Sequence, residues 1–109
     1  MLSNYEPFNN AEEVWFWFCN SLLARGEGFR ARQDYSQVRR PLETVDIHRI
    51  IKNMKLSHQI DNRVLRVMSK WGGLGVPPTY HSRAKPSEVE LWNIGIGWLH
   101  WHLHNKGIL

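Results

Sequence analysis

Apolar residues recur every three or four positions along four stretches of the chain, the spacing that places them on one face of an α-helix. The pattern predicts helices near residues 11–25, 45–54, 58–71 and 88–105. Because 109 residues suffice for one hydrophobic core but not for two, we expect a single domain over residues 1–109. We predict an all-α fold, a compact bundle of about four helices with an irregular lead-in at residues 1–9 and two long ordered loops.

The two middle helices are predicted to form a helix-turn-helix-like pair over residues 44–71. Their apolar positions are Ile47, Ile50, Ile51 and Met54 in the first helix and Ile60, Val64, Val67, Met68 and Trp71 in the second. Thr44 and Ser57 are residue types that favour the N-cap, and the glycines at 72–73 are expected to stop the second helix. Only residues 55–56 remain for the connection, so both helices are expected to face one core.

The outward face of the second helix carries side chains that can hydrogen-bond base edges in the major groove of DNA. The residues predicted to contact bases are Gln59, Asn62, Arg63 and Arg66. The residues predicted to contact phosphates are Arg39, Arg40, Lys52, Lys55 and Lys70. Asp61 argues against this interpretation, because a carboxylate repels phosphate unless it accepts from a cytosine amine or holds an arginine in place.

The positive charge is concentrated on and just before this pair of helices. The net charge is +4. Residues 1–24 contain three acidic residues and no Lys or Arg, whereas residues 25–70 contain eleven Lys and Arg against five acidic residues. In the loop at 26–43, arginines alternate with aromatic residues, as in segments that follow a phosphate backbone. The same arginines could instead tie the loop to helix ends or acidic neighbours.

The two outer helices have their own end signals. Asn10 is a predicted N-cap with Glu13 three residues later, and Ser87 with Glu90 has the spacing of a capping box. Pro77 and Pro78 predict extended chain before the last helix. The two glycines inside the last helix, at 95 and 97, disfavour helix, so they indicate either a close approach of another helix or room for an indole ring. Of these we expect contact with the Trp-bearing first helix.

A second interpretation is a protein-interaction adaptor. Six tryptophans are many for a chain of this length, and four aromatic residues fall outside the main apolar stripes: Phe16, Trp17, Trp98 and Trp101. Trp and Arg are enriched at binding hot spots. Burial of these four side chains with an open basic face would favour DNA, and an exposed apolar patch would favour the adaptor. Binding of structured RNA by the arginine-rich loop stays open as a third alternative.

The sequence predicts no enzyme, no cofactor and no metal site. It contains no glycine-rich phosphate loop, no nucleophile elbow and no HExxH motif. His100 and His104 share a helical face but have no Cys or carboxylate nearby in sequence to complete a metal site. Cys19 lies within an apolar helix, so we expect it to be a small buried hydrophobe.

A cytoplasmic location is expected. The single cysteine cannot form an internal disulfide, which favours a reducing compartment. The apolar run at residues 14–19 follows two acidic residues rather than basic ones and is far too short to cross a membrane. The leading prediction is therefore a small DNA-binding protein of transcription regulation whose partner is double-stranded DNA, with its oligomeric state left open.

Overall fold

The computed structural model describes residues 8–26 and 43–109, and every regular element within these ranges is helical. There are four α-helices in the described part of the chain: α1 (Ala11–Gly26), α2 (Thr44–Leu56), α3 (Asn62–Leu74) and α4 (Pro86–Asn105). A short 3₁₀ helix, Pro78–Tyr80, lies between α3 and α4. The predicted all-α fold with four main helices is confirmed.

α1 begins where the sequence predicted. Asn10 Oδ1 accepts a hydrogen bond from the Glu13 N–H at 2.8 Å, so Asn10 caps the helix as expected. The Glu13 carboxylate accepts from the N–H of Asn9, one residue before the cap. Two acidic residues in the first turn, Glu12 and Glu13, also suit the positive end of the helix dipole.

α2 is longer than predicted and has a different cap. Glu43, not Thr44, is the N-cap residue, and its N–H donates to Asp46 Oδ2 at 2.8 Å. Thr44 is a buried residue of the first turn. Lys55 and Leu56 belong to the helix rather than to the predicted connection, because α2 continues without a break as far as Leu56.

α3 begins at Asn62 and not at residue 58, so the predicted start of this helix was wrong. Asp61 is its N-cap, and Asp61 Oδ1 accepts from the backbone N–H of Arg63 at 2.9 Å and of Val64 at 3.1 Å. An aspartate caps at least as well as a serine and adds a charge that the helix dipole favours. Ser57 instead follows the end of α2, and His58 reverses the chain with a positive φ of 61°.

The predicted glycine stop at the end of α3 was wrong as well. The helix continues through Gly72 and Gly73 to Leu74 and is capped by Gly75, which has a φ of 79° and donates its N–H to Trp71 O at 3.0 Å. A Cβ on Gly72 would lie 2.7 Å from Trp15 Nε1. Gly72 therefore permits α1 to pack closely on α3 instead of ending the helix.

α4 begins two residues earlier than predicted, at Pro86. Glu88 Oε1 accepts the Lys85 N–H at 3.0 Å, so Glu88 takes the role expected of Glu90, and the predicted Ser87–Glu90 box was wrong. Proline fits the first helical position because its missing N–H would be unsatisfied there in any case. The expected extended segment before α4 also contains the 3₁₀ helix at Pro78.

The glycines of α4 differ from each other. A Cβ on Gly95 would lie 2.8 Å from Val64 Cγ1 and would also meet Met68, so Gly95 permits close packing against α3. The predicted close approach was right for Gly95, but the approaching helix is α3 and not α1. At Gly97 a Cβ would meet nothing within 4 Å, so no helix in the described part of the chain makes the predicted close approach there.

One hydrophobic core joins the four helices, and α4 contacts each of the other three. Trp71 and Trp92 are among its largest fully buried side chains. Two indole N–H groups are satisfied across helices: Trp15 Nε1 donates to Met68 O and Trp92 Nε1 donates to Glu12 Oε2, each at 2.8 Å. These bonds fix α1 against α3 and α4, because a buried indole N–H without a partner is costly.

Candidate nucleic-acid interface

The outward face of α3 is polar and is centred on Arg66. The exposed side chains around it are those of Asn62, Arg63, Ser69 and Lys70. At 100° per residue these positions lie within about 60° of Arg66 around the helix axis. We call these five residues the α3 face. Three of the predicted base-contacting residues, Asn62, Arg63 and Arg66, are brought together on it.

Asp61 lies at the start of the α3 face and holds Arg63. Its Oδ2 is 3.0 Å from Arg63 Nη2 and 3.2 Å from Arg63 Nε. The hydrogen bonds from the Arg63 side chain and the Val64 N–H lower the pKa of the Asp61 carboxyl. The Arg63 side chain nevertheless stays 71% exposed. A carboxylate near DNA can accept from a cytosine amine or hold an arginine in place. In this structure Asp61 holds an arginine, Arg63.

The outward face of α2 adds further basic side chains. Arg49, Lys52 and Lys55 are exposed there, and the sequence interpretation included the two lysines but missed Arg49. Lys55 Nζ donates to Asn62 Oδ1 at 3.0 Å, so the basic face of α2 meets the α3 face across the turn. Arg49 is only loosely paired, with a nitrogen 4.0 Å from Asp46 Oδ1.

Lys70 has a structural partner that its position in the sequence did not indicate. Lys70 Nζ lies 2.6 Å from Glu88 Oε2 at the start of α4 and 5.1 Å from the centre of the Trp71 ring. The bond from Lys70, with that from the Lys85 N–H, lowers the pKa of the Glu88 carboxyl. Lys70 therefore ties α3 to α4, and part of its hydrogen-bonding capacity is already used.

Gln59 lies in the turn before α3 and not on the helix. Its side-chain oxygen is 2.8 Å from His102 Nε2 on α4, close enough to accept that N–H. Burial lowers the pKa of His102, which keeps the imidazole neutral at pH 7. Gln59 thus anchors the turn to α4. Arg39 and Arg40, the two remaining predicted phosphate contacts, lie outside the described residues.

The aromatic residues that defined the alternative interpretation are divided between core and surface. Phe16 stacks on Trp92 with ring centroids 5.7 Å apart, and Trp17 meets Phe8 edge-on at 5.4 Å, so both add to the core. Trp98 is partly buried, but Trp101 is 50% exposed. The criterion of burial therefore gives a mixed result, with an open basic face on α2 and α3 and an exposed indole on α4.

The structure also locates the residues considered for other chemistry. Cys19 is buried as predicted, and burial raises the pKa of its thiol to about 11. The His100 and His104 rings are stacked 6.1 Å apart on the exposed side of α4. Among residues 8–26 and 43–109 no group of three or more His, Cys, Asp or Glu side chains is arranged to hold a metal ion.

No known protein family, curated protein or solved structure matches this chain. None of the described helices is both long enough and apolar enough to span a membrane. A functional assignment consequently depends on the geometry and charge of the chain's own surfaces.

Proposed function

We propose that this chain binds double-stranded DNA through the α3 face and acts in transcription regulation. The observation that carries this proposal is the state of Arg66. Its guanidinium is exposed at the centre of a polar helix face and forms no hydrogen bond or ion pair with any described residue. A helix fits the major groove, where arginine can bond two acceptors of guanine at once.

The neighbours of Arg66 support contact with bases. Arg63 is held in one orientation by Asp61, and Asn62 is held by Lys55, so both side chains lose less conformational freedom on binding than free ones would. Asn62, Arg63 and Arg66 all lie in the first half of α3, the half that contacts base edges in helix-turn-helix proteins. We assign base contacts to these three residues.

Phosphate contacts fall to the flanking basic residues. From residue 44 to residue 74 the chain contains six Lys and Arg residues and only two acidic ones, Asp46 and Asp61. Both acids serve at helix N-termini, where backbone N–H groups donate to their side chains. We assign phosphate contacts to Arg49, Lys52 and Lys55 and retain Arg39 and Arg40 from the sequence. Gln59 and Lys70 contribute by positioning α3 through their bonds to α4.

The deciding experiment is a selection from random duplex DNA with the purified protein, followed by a salt titration on the enriched sequence. We expect one enriched motif. With about five phosphate contacts, the slope of log K against log salt should be near −4 to −5. Arg66→Ala should strongly reduce the enrichment, whereas Arg83→Ala, which removes an arginine from the loop before α4, should not.

Two results would overturn the proposal. The first is an absence of binding to any duplex at low salt. The second is stronger binding to a structured RNA than to every DNA tested, which would indicate the RNA alternative. Circular dichroism of each variant excludes unfolding as the cause of lost binding.

A further inference from the structure

The outward face of α4 is centred on a glycine that nothing within the described chain explains. Gly97 is exposed, and a Cβ there would meet no atom within 4 Å. Glycine weakens a helix interior because it gains no packing and loses the most backbone freedom. Gly95, two residues earlier, has an evident reason in its contact with Val64. No described residue therefore makes a close approach to Gly97, and any partner that packs against it would come from outside the described residues.

Apolar side chains flank Gly97 on the same exposed face. Ile94 is 41% exposed and Trp101 is 50% exposed. His100 is a titratable residue on this face, about 60° from Gly97 around the helix axis, and its ring stacks on that of His104. Glu90 and His104 lie seven residues before and after Gly97, and both are exposed. Seven residues are close to two turns, so both lie within about 20° of Gly97 around the helix axis.

When two copies of α4 are placed antiparallel, the residues on this face of one copy are complementary to those of the other. In an antiparallel pair of α4 helices with a twofold axis beside Gly97, the Ile94 of each copy faces the Trp101 of the other. The Glu90 of each copy faces the His104 of the other, which places a carboxylate against an imidazole twice. An isologous interface requires this reciprocity, in which residue i meets j and j meets i.

We propose that the chain forms a twofold-symmetric dimer through antiparallel packing of α4 on α4 across Gly97. Gly97 of each copy leaves the centre of the interface without side chains, so the two helices can pack with their axes about 8–10 Å apart. The residues from Glu90 to His104 extend over about 21 Å of helix. The side of α4 that carries Gly95 packs on α3, so pairing through Gly97 uses the opposite side and leaves the α3 face free.

Sedimentation equilibrium of the full chain without DNA tests the dimer. The protein concentration should run from about 1 to about 200 µM, since a small interface gives a weak dimer. We expect the mass to double within this range. Because no DNA is present, the result is independent of the proposed function. A chain that stays monomeric at the highest concentration overturns the dimer.

Two substitutions of Gly97 separate pairing from folding. Gly97→Ala should raise the melting temperature of the monomer, since alanine favours helix and the added Cβ meets nothing in the described chain. The same change should weaken dimerisation by about tenfold, because two Cβ atoms would then meet at the twofold axis. Gly97→Glu should leave the chain monomeric. A dimer unaffected by Gly97→Glu overturns the proposed packing.

A charge exchange tests the register. Glu90→Lys should weaken the dimer by placing a cation against His104, and His104→Glu should weaken it by placing two carboxylates together. The double variant should recover most of the affinity. Lys106→Glu, an equal change of charge just beyond the end of α4, is the control and should have little effect. Additive losses in the double variant would overturn the antiparallel register.

Discussion

The outward faces of α3 and α4 are both exposed, but they differ in polarity. The side chains on the α3 face are polar, and several are held by named partners, as Arg63 is by Asp61 and Lys70 is by Glu88. On α4 the corresponding face leaves Ile94 and Trp101 exposed around an unexplained glycine. Water supplies hydrogen bonds to an exposed polar face, whereas an exposed indole is stabilised when another surface covers it and removes it from water. The comparison therefore separates a surface suited to a charged ligand from one suited to another protein surface.

The largest expected difference is between two tryptophans of α4. Trp92 is fully buried and donates to Glu12, so Trp92→Ala should lower the free energy of unfolding by about 3–5 kcal/mol. Trp101→Ala removes a half-exposed ring that contacts Trp98 and His102 edge-on, and should lower it by only about 1 kcal/mol. Urea unfolding at a low protein concentration measures both. Equal losses would mean that Trp101 belongs to the core and that α4 has no free face.

The two glycines of α4 should respond with opposite signs. Gly95→Ala places a Cβ against Val64 and Met68, and such overpacking costs about 1–3 kcal/mol. Gly97→Ala should instead stabilise the monomer by about 1 kcal/mol. Differential scanning calorimetry on matched samples gives both values. If Gly97→Ala were destabilising in the monomer, a contact within the chain would account for that glycine.

On the α3 face, base contacts and phosphate contacts should be separable. Arg66→Ala should cost about 1–3 kcal/mol on the selected DNA sequence and much less on random duplex. Lys52→Ala should weaken both to the same degree and reduce the salt slope by about one unit. Fluorescence anisotropy titrations at several salt concentrations measure these effects. Equal losses on every sequence would make the α3 face a general basic surface.

The sequence predicted which residues face the core better than it predicted where helices begin. The three- and four-residue spacing reports a face over several turns, so the burial of Trp15, Trp71 and Trp92 was foreseeable. Caps depend on one local choice between similar residues. Ser57 and Asp61 are both good N-caps, and the choice of Asp61 moved the start of α3 past Gln59.

The candidate site was predictable only in part. Asn62, Arg63 and Arg66 follow from the periodicity of α3, because any residue opposite a buried stripe is exposed. The partners that change the roles of Gln59 and Lys70 lie on α4, many residues away in sequence. Such pairings depend on how helices pack, and a single sequence does not carry that information. The contact at Gly72, and the identity of the helix that packs against Gly95, were missed for the same reason.

The smallest expected effect concerns pH and the bond that joins α3 to α4. Hydrogen bonds from Lys70 and the Lys85 N–H hold the folded pKa of Glu88 below its unfolded value, which for glutamate is about 4.3. The carboxylate therefore stabilises the fold above that unfolded pKa, and the stabilisation is lost as pH falls through the lower, folded pKa. The melting temperature of Glu88→Gln should accordingly lie below that of the wild type at pH 7 and approach it in acid. In a Lys70→Ala background the same substitution should have a smaller effect at pH 7, since the main cause of the lowered pKa is gone. A gap between wild type and Glu88→Gln that stayed constant from pH 7 to about pH 3 would mean that the carboxylate's charge contributes nothing to holding α3 against α4.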